Sequence, residues 1–327
     1  MIAIILLLAI VAALGGGNPL DLGSSQSAES LLGQALDHWE KTPVVHETGT
    51  FSLDGHRYQL DVTQDRRGAG QGTVVVDGRR AQYRYVGDRT FVLADRDWWT
   101  SHDQPKLAGF LAGKWTTTPS AAADLSTPSL VRSLSLLDRA IPGHTFTQKG
   151  APTRVGGASA VRLSDPSGAV YVSAAKPVRF LRLVSSATYR TADGVSGISV
   201  DLDYPRPVAV QPPAPAVDTA DQRTLPARYT QEPGSFKFTN CETASGCTPV
   251  ATVRNQGGPQ VGDPSVEFHL NRVDGSDLGG CTAPIRPIGN DQTEDVSCTV
   301  TGPAWASFAH VGGRYQGKLT IHNPLYD

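Results

Sequence analysis

The sequence predicts an α+β domain, with helices lying over one face of a single large antiparallel sheet, followed by a smaller all-β sandwich. Three observations predict it. Apolar and polar residues alternate with period two in residues 179–183 and 200–203, as half-buried antiparallel strands require. The first two thirds of the chain read helix, strands, two helices, strands, and such segregation marks α+β rather than a parallel α/β fold. Beyond a Pro/Ala-rich stretch only short strand patterns occur, at regular spacing. With 327 residues the chain can build two cores. Its net charge of −2 produces no field that points to nucleic acid.

Residues 2–14 form a continuous apolar run ending at Gly15-Gly16-Gly17. The run is shorter than the roughly 20 residues of a membrane span and fits the about 7–15 of a signal-peptide core. No Lys or Arg precedes it, so the expectation is a start further upstream or an anchor, and either exports the remainder of the chain. Residues 1–17 are thus a signal or membrane anchor and 18–26 a linker. Residues 27–40 read as a helix capped by Ser27 or Ser30, with Leu31, Leu32, Ala35, Leu36 and Trp39 at helical spacing and Pro43 ending it. A meander of short strands then runs to residue 100, punctuated by Asp54-Gly55, Asp77-Gly78 and Gly87-Asp88, pairs that tolerate the positive φ of tight turns. Residues 104–111 and 128–140 carry helical periodicity, and strands resume from 145 to 203.

Residues 210–233, rich in Pro and Ala, predict a semi-extended linker between a first domain of 27–209 and a second of 234–327. Strand patterns at 235–239, 250–255, 265–272, 281–288, 294–300 and 314–321, with no helical pattern between them, predict an immunoglobulin-like β-sandwich. All four cysteines lie here, and an even number confined to one domain of an exported chain reads as two disulfides. Cys241–Cys247 as a local clip and Cys281–Cys298 as a link between strands are the favoured pairings. The spacing is not that of zinc knuckles, and no metal is expected.

Three stretches of the first domain carry a resemblance. They are the opening helix from Ser30 to Trp39 leading into Val45-His46, the strand–turn–Pro–strand run from Tyr171 to Arg179, and the closing Asp203-Tyr204 with Pro207-Val208-Ala209-Val210 and Pro213. In this order they are similar to the LolA-like fold of envelope lipoprotein carriers, particularly its LppX/LprG-type branch, over residues 27–213. The resemblance implies a curved half-barrel sheet with helices plugging its concave side and an apolar cavity for acyl chains. It also implies a role in carrying lipids or lipidated molecules across the envelope. The chain departs from that pattern in having no lipid-anchor cysteine and in carrying a second β domain.

Catalysis has little support, since no H-E-x-x-H, G-x-S-x-G or Walker motif occurs. Gly68-Ala69-Gly70-Gln71-Gly72 lies between two strands and reads as a hairpin turn rather than a nucleotide loop. The run from Asp95 to Asp103 holds three carboxylates and a His beside Trp98-Trp99, a set able to bind a cation. Its ordinary reading is a strand edge with one Trp buried and the other at a rim. An intermediate reading has Trp98 or Trp99, with Phe91, Leu93 and Trp115, lining a cavity mouth. Leu107, Phe110, Leu111, Leu130, Leu134 and Leu137 on the helices, with Tyr171 on the sheet, complete the expected lining. Arg66, Arg67, Arg79, Arg80, Arg84, Arg89 and Arg96 read either as a face for anionic headgroups or, alternating with aspartates, as an ordinary solvated sheet face.

The expectation is an exported, membrane-tethered or secreted protein of the cell envelope, non-enzymatic and without a cofactor. It binds an apolar ligand, a lipid above all, contacts the membrane through its N-terminal segment and has room for an envelope protein partner. The competing expectation is an extracellular sensor or scaffold whose two domains bind proteins without a lipid cavity.

Overall fold

A computed structural model of the chain describes residues 26–65, 69–87, 89–101, 105–118, 144–191, 194–207 and 209–327. The N-terminal apolar run and the expected helix at 128–140, with Leu130, Leu134 and Leu137, lie outside these residues, as do Arg66 and Arg67. The chain divides into two compact units: Met1–Leu93 with Ser120–Pro213, and Ala94–Pro119 with Ala214–Asp327.

The first unit opens with α1 (Ala28–Lys41), where the Ser27 hydroxyl accepts from the Ser30 amide and Leu31, Leu32, Ala35 and Trp39 form the buried stripe. The strands β1 (Val44–Leu53), β2 (His56–Asp65), β3 (Gly70–Val76), β4 (Arg79–Val86) and β5 (Arg89–Ala94) then form a meander. The later strands are β7 (Gln148–Val155), β8 (Ala158–Asp165), β9 (Gly168–Ser173), β10 (Phe180–Ser185) and β11 (Ser196–Asp203). Side by side they run β5-β4-β3-β2-β1-β11-β10-β9-β8-β7. The two meanders meet where β1 and β11 pair antiparallel, Glu47 opposite Leu202 and Gly49 opposite Val200. Asp54 and Asp77 take φ of 52° and 48° at the hairpin tips, the left-handed turns that their Asp-Gly pairs predict.

The second unit begins with an excursion between the two meanders. It holds α2 (Arg96–Ser101), the four-residue α3 (Ala108–Leu111) and β6 (Thr116–Thr118). Strand β12 (Val217–Asp218) pairs parallel with β6. The stretch expected as a linker therefore belongs to this unit from Ala214 onward, and Val217 and Leu225 are buried in it. One sheet joins β15 (Gly246–Asn255) to β13 (Tyr229–Gln231), β14 (Lys237–Thr243) and β18 (Thr293–Ser297). The other runs β17 (Asp277–Pro284), β16 (Ser265–Arg272), β19 (Tyr315–His322). Tyr229, Ala251, Val253 and Val296 of the first sheet share a core with Val266, Phe268 and Ala283 of the second, so the two sheets pack face to face. The disulfides are Cys241–Cys247 and Cys281–Cys298.

Several expectations are corrected. The chain is mostly β, and no set of helices covering a half-barrel is present among the described residues, so the α+β assignment does not hold. The periodic stretch 104–111 contributes only α3, in the second unit, because Pro105 and Gly109 allow little helix there and the chain turns out at Gly113 with φ 71°. Residues 97–100, expected as a strand, form α2 because the Asp95 carboxylate accepts from the Trp98 amide at 2.8 Å and caps a helical turn. The sandwich also contains a helix that no periodicity announced: α4 (Pro303–Val311), with Pro303 at its start and Trp305 and Phe308 buried.

Candidate functional site

The strand registers sort the first unit's side chains onto two faces. Phe51, Tyr58 and Val76 stand on one line, and Leu60, Val74 and Ala81 on the next. Val200, Leu183, Val170 and Leu163 continue the same face through β11, β10, β9 and β8. All of these are buried. The opposite face is polar: Arg182 forks onto Asp201, with Nη2 donating to Oδ2 at 2.9 Å, and His46 meets Asp61 at 2.9 Å. The alternation that predicted half-buried strands thus builds one apolar wall across the sheet.

One carboxylate breaks the wall. Glu47 is 1% exposed, opposite Val62 and Leu202, and its Oε1 accepts from Gln64 Nε2 at 3.3 Å. Gly70 sits opposite Tyr85, and a Cβ there would stand 2.9 Å from the Tyr83 hydroxyl. Glycine therefore leaves room for that phenol. Burial, and after it the charge of Glu47, raises the Tyr83 phenol far above its ordinary pKa. The apolar wall thus carries a buried carboxylate and a buried phenol among its hydrophobic side chains.

The expected lining residues that are described belong to both units of the chain. Phe91 is buried and Leu93 half-buried on β5 of the first unit. Trp98 and Trp99 are both buried on α2, Leu111 is buried on α3, and Leu107, Phe110 and Trp115 are half-buried beside them, all in the second unit. Lys114 lies over the Phe110 ring, its Nζ 3.4 Å from the ring centre, and burial lowers its pKa. Tyr171 stands on the polar face between Arg162 and Arg182, packed with Leu181 and Ala160. Of the arginines, Arg80 and Arg84 share the outer face of β4, where Arg80 donates to Thr73 and Arg84 to the Gln211 carbonyl, and Arg96 belongs to the second unit.

A second cluster went unnoticed in the sequence because its members are distant along the chain. His144 Nδ1 lies 3.1 Å from Asp165 Oδ2, and Nε2 lies 3.1 Å from the Tyr189 hydroxyl. Asp165 Oδ1 already accepts from the amides of Ser167 and Gly168. An ionised carboxylate only accepts, so Nδ1 carries a proton toward Asp165, and in the neutral ring Nε2 accepts from the Tyr189 hydroxyl. The adjoining niche, lined by Phe146, Leu183 and Ser185 among others, measures about 10 Å³. That is room for one water, and the cluster ties three segments together.

No described group of three or more His, Cys, Asp or Glu side chains is placed to hold a metal ion. No described helix is long and apolar enough to cross a membrane. The two disulfides fit an oxidising, extracytoplasmic environment. The chain matches no model of a known protein family and no curated protein sequence.

Proposed function

We propose that the chain is a non-enzymatic binding protein of the cell envelope whose first unit holds an apolar ligand, a lipid or lipidated molecule, against the apolar face of its sheet. What carries the reading is that face itself: in-register valines, leucines and aromatics extending over most of the strands, with one buried carboxylate among them. Each methylene removed from water contributes about 0.8 kcal/mol, so a single acyl chain binds usefully through burial alone. Residues 2–14 would hold the protein at the membrane or direct its export. The LolA-like resemblance of residues 27–213 agrees with the reading without its helical cover. The test is native mass spectrometry and lipid extraction of chain purified from its own envelope. A chain that emerges without lipid, and takes up none when mixed with it, sinks the proposal.

A sensor or scaffold role has one observation in its favour. Val273 and Val311 are 63% and 76% exposed, and the Val273 amide donates to the Arg314 carbonyl, close in sequence to Val311. Exposed valines at one end of the sandwich suit a protein contact. Proximity labelling at Val273 that captures one envelope protein, in cells whose purified chain holds no lipid, would favour this role over the first.

A further inference from the structure

Where α1 ends, its last turn meets the start of β10 and the residue after β11. His38 lies 5.5 Å, ring to ring, from Tyr204. The Arg179 guanidinium carbon stands 5.2 Å from the centre of the same Tyr204 ring. Tyr204 is held in place because its hydroxyl donates to the Phe180 carbonyl at 2.8 Å, and Phe180 in turn meets Trp39 edge-on at 6.4 Å. The backbone of Arg179 is held as well, its amide donating to Ser173 Oγ, which donates to the Pro177 carbonyl.

The side chain of Arg179 is treated differently. It is half-buried, yet among the described residues its guanidinium makes no ion pair and no hydrogen bond, only the contact with the Tyr204 ring. A guanidinium presents five donors in a planar fork suited to a phosphate or carboxylate. The carboxylates nearby are otherwise engaged. Asp37 pairs with Lys41 at 2.5 Å, Asp203 accepts from the Tyr204 amide, and Glu47 accepts from Gln64. His38 adds a second group able to carry positive charge. Its pKa is lowered by burial first and by the positive charge of Arg179 second, with Asp37 opposing weakly. Arg179 and the titratable His38 thus flank one aromatic ring with no carboxylate hydrogen-bonded to either side chain among the described residues, while Trp39 and Phe180 lead away onto the apolar wall.

We propose that Arg179, His38 and Tyr204 form a subsite for an oxyanion, the phosphate head of an amphiphile whose tail lies along the apolar face. This rests on the lipid-binding reading for the tail, whereas the anion subsite is read from its own three residues. Bound phosphate takes the guanidinium fork and supplies the missing negative charge beside His38.

The test tracks the His38 ring by NMR in the full chain against three probes: inorganic phosphate, dihexanoyl-phosphatidylglycerol and uncharged dihexanoylglycerol. The expected result is that phosphatidylglycerol moves the His38 titration to higher pH and dihexanoylglycerol does not. Arg179→Gln should weaken phosphatidylglycerol binding roughly 10-fold or more, the loss of a charge-assisted pair. If inorganic phosphate alone moves His38 as far, the subsite holds and its anion is free phosphate rather than a lipid head. Should both diacyl probes bind while His38 stays unmoved, the anion subsite is overturned and the apolar reading survives. If no probe binds, both fall. The wild-type titration decides the matter even if the variant does not fold.

Discussion

Trp305 anchors the helix that the sequence did not announce, and its removal tests whether that helix is integral to the second unit. The side chain is 0% exposed. It meets Phe308 at 5.4 Å and Tyr315 edge-on at 5.5 Å, and its indole N–H donates to the Thr243 carbonyl at 3.0 Å. Trp305→Ala therefore deletes a fully buried aromatic, which costs about 3–5 kcal/mol. It also strips the Thr243 carbonyl of its donor, roughly 1 kcal/mol more. With a urea m-value of about 1–3 kcal/mol/M, the midpoint should fall by roughly 2 M. Trp305→Phe keeps most of the buried area and loses the hydrogen bond, so its cost should be about 1–2 kcal/mol. Hydrogen-exchange mass spectrometry in urea, read on peptides from β15 and β19, reports this unit alone. A Trp305→Ala midpoint within about 0.5 M of the parent, against the roughly 2 M expected, would refute the reasoning.

Other perturbations follow from the same geometry. The Cys281–Cys298 bridge spans a sequence separation of 17, and closing a loop of that size is worth about 3 kcal/mol by chain entropy. Replacing both residues by Ser should lower the second unit's stability by about that amount, measured by the same exchange experiment. Asp77 has its pKa lowered below the carboxylate norm, first by the Arg57 amide and then by His56. A depressed carboxylate contributes stability that is fully present above the unfolded value of 3.8 and is lost as pH falls through the lower folded value. Asp77→Asn should lower thermal stability slightly in the neutral region and flatten the acid side of the profile, so that variant and parent converge below that pH. Finally, residues 214–327 expressed alone lack α2, α3 and β6, with buried Trp98, Trp99 and Leu111. They should give a poorly dispersed NMR spectrum that sharpens when the excursion is restored through a short linker.

What was legible in the sequence was whatever is local. The Asp-Gly turns, the Ser27-capped helix and the alternation in β10 and β11 all need only neighbouring residues, and each lies where its pattern placed it. Adjacent Trp98 and Trp99, flanked by polar residues, read as strand edge; the Asp95 cap that makes them helical is a single hydrogen bond competing with a weak period. The helix α4 was hidden because its buried residues are only Trp305 and Phe308 between glycines, too few to show a stripe. Which compact unit the segment after Ala94 belongs to was not legible either, since it groups with the second unit rather than with the meander that precedes it. Periodicity carries no sign of which core a segment will enter. His38, Arg179 and Tyr204 illustrate the same limit, because only the pairing of β10 with β11 and the docking of α1 bring them together.

Glu47 is the position where sequence and structure together say most about use. Its strand alternates Val45, Glu47, Gly49, Phe51 toward the apolar face, so the acid occupies a place where the pattern calls for a hydrophobe. A wall built only for packing gains nothing from such a residue, since a buried charge pays heavily for lost hydration and an apolar residue of similar volume is commonly as stable or more so. The same carboxylate within a ligand site fixes orientation among otherwise undirected apolar contacts. On the proposed lipid-binding reading, Glu47 is the polar group that would orient a ligand on the wall.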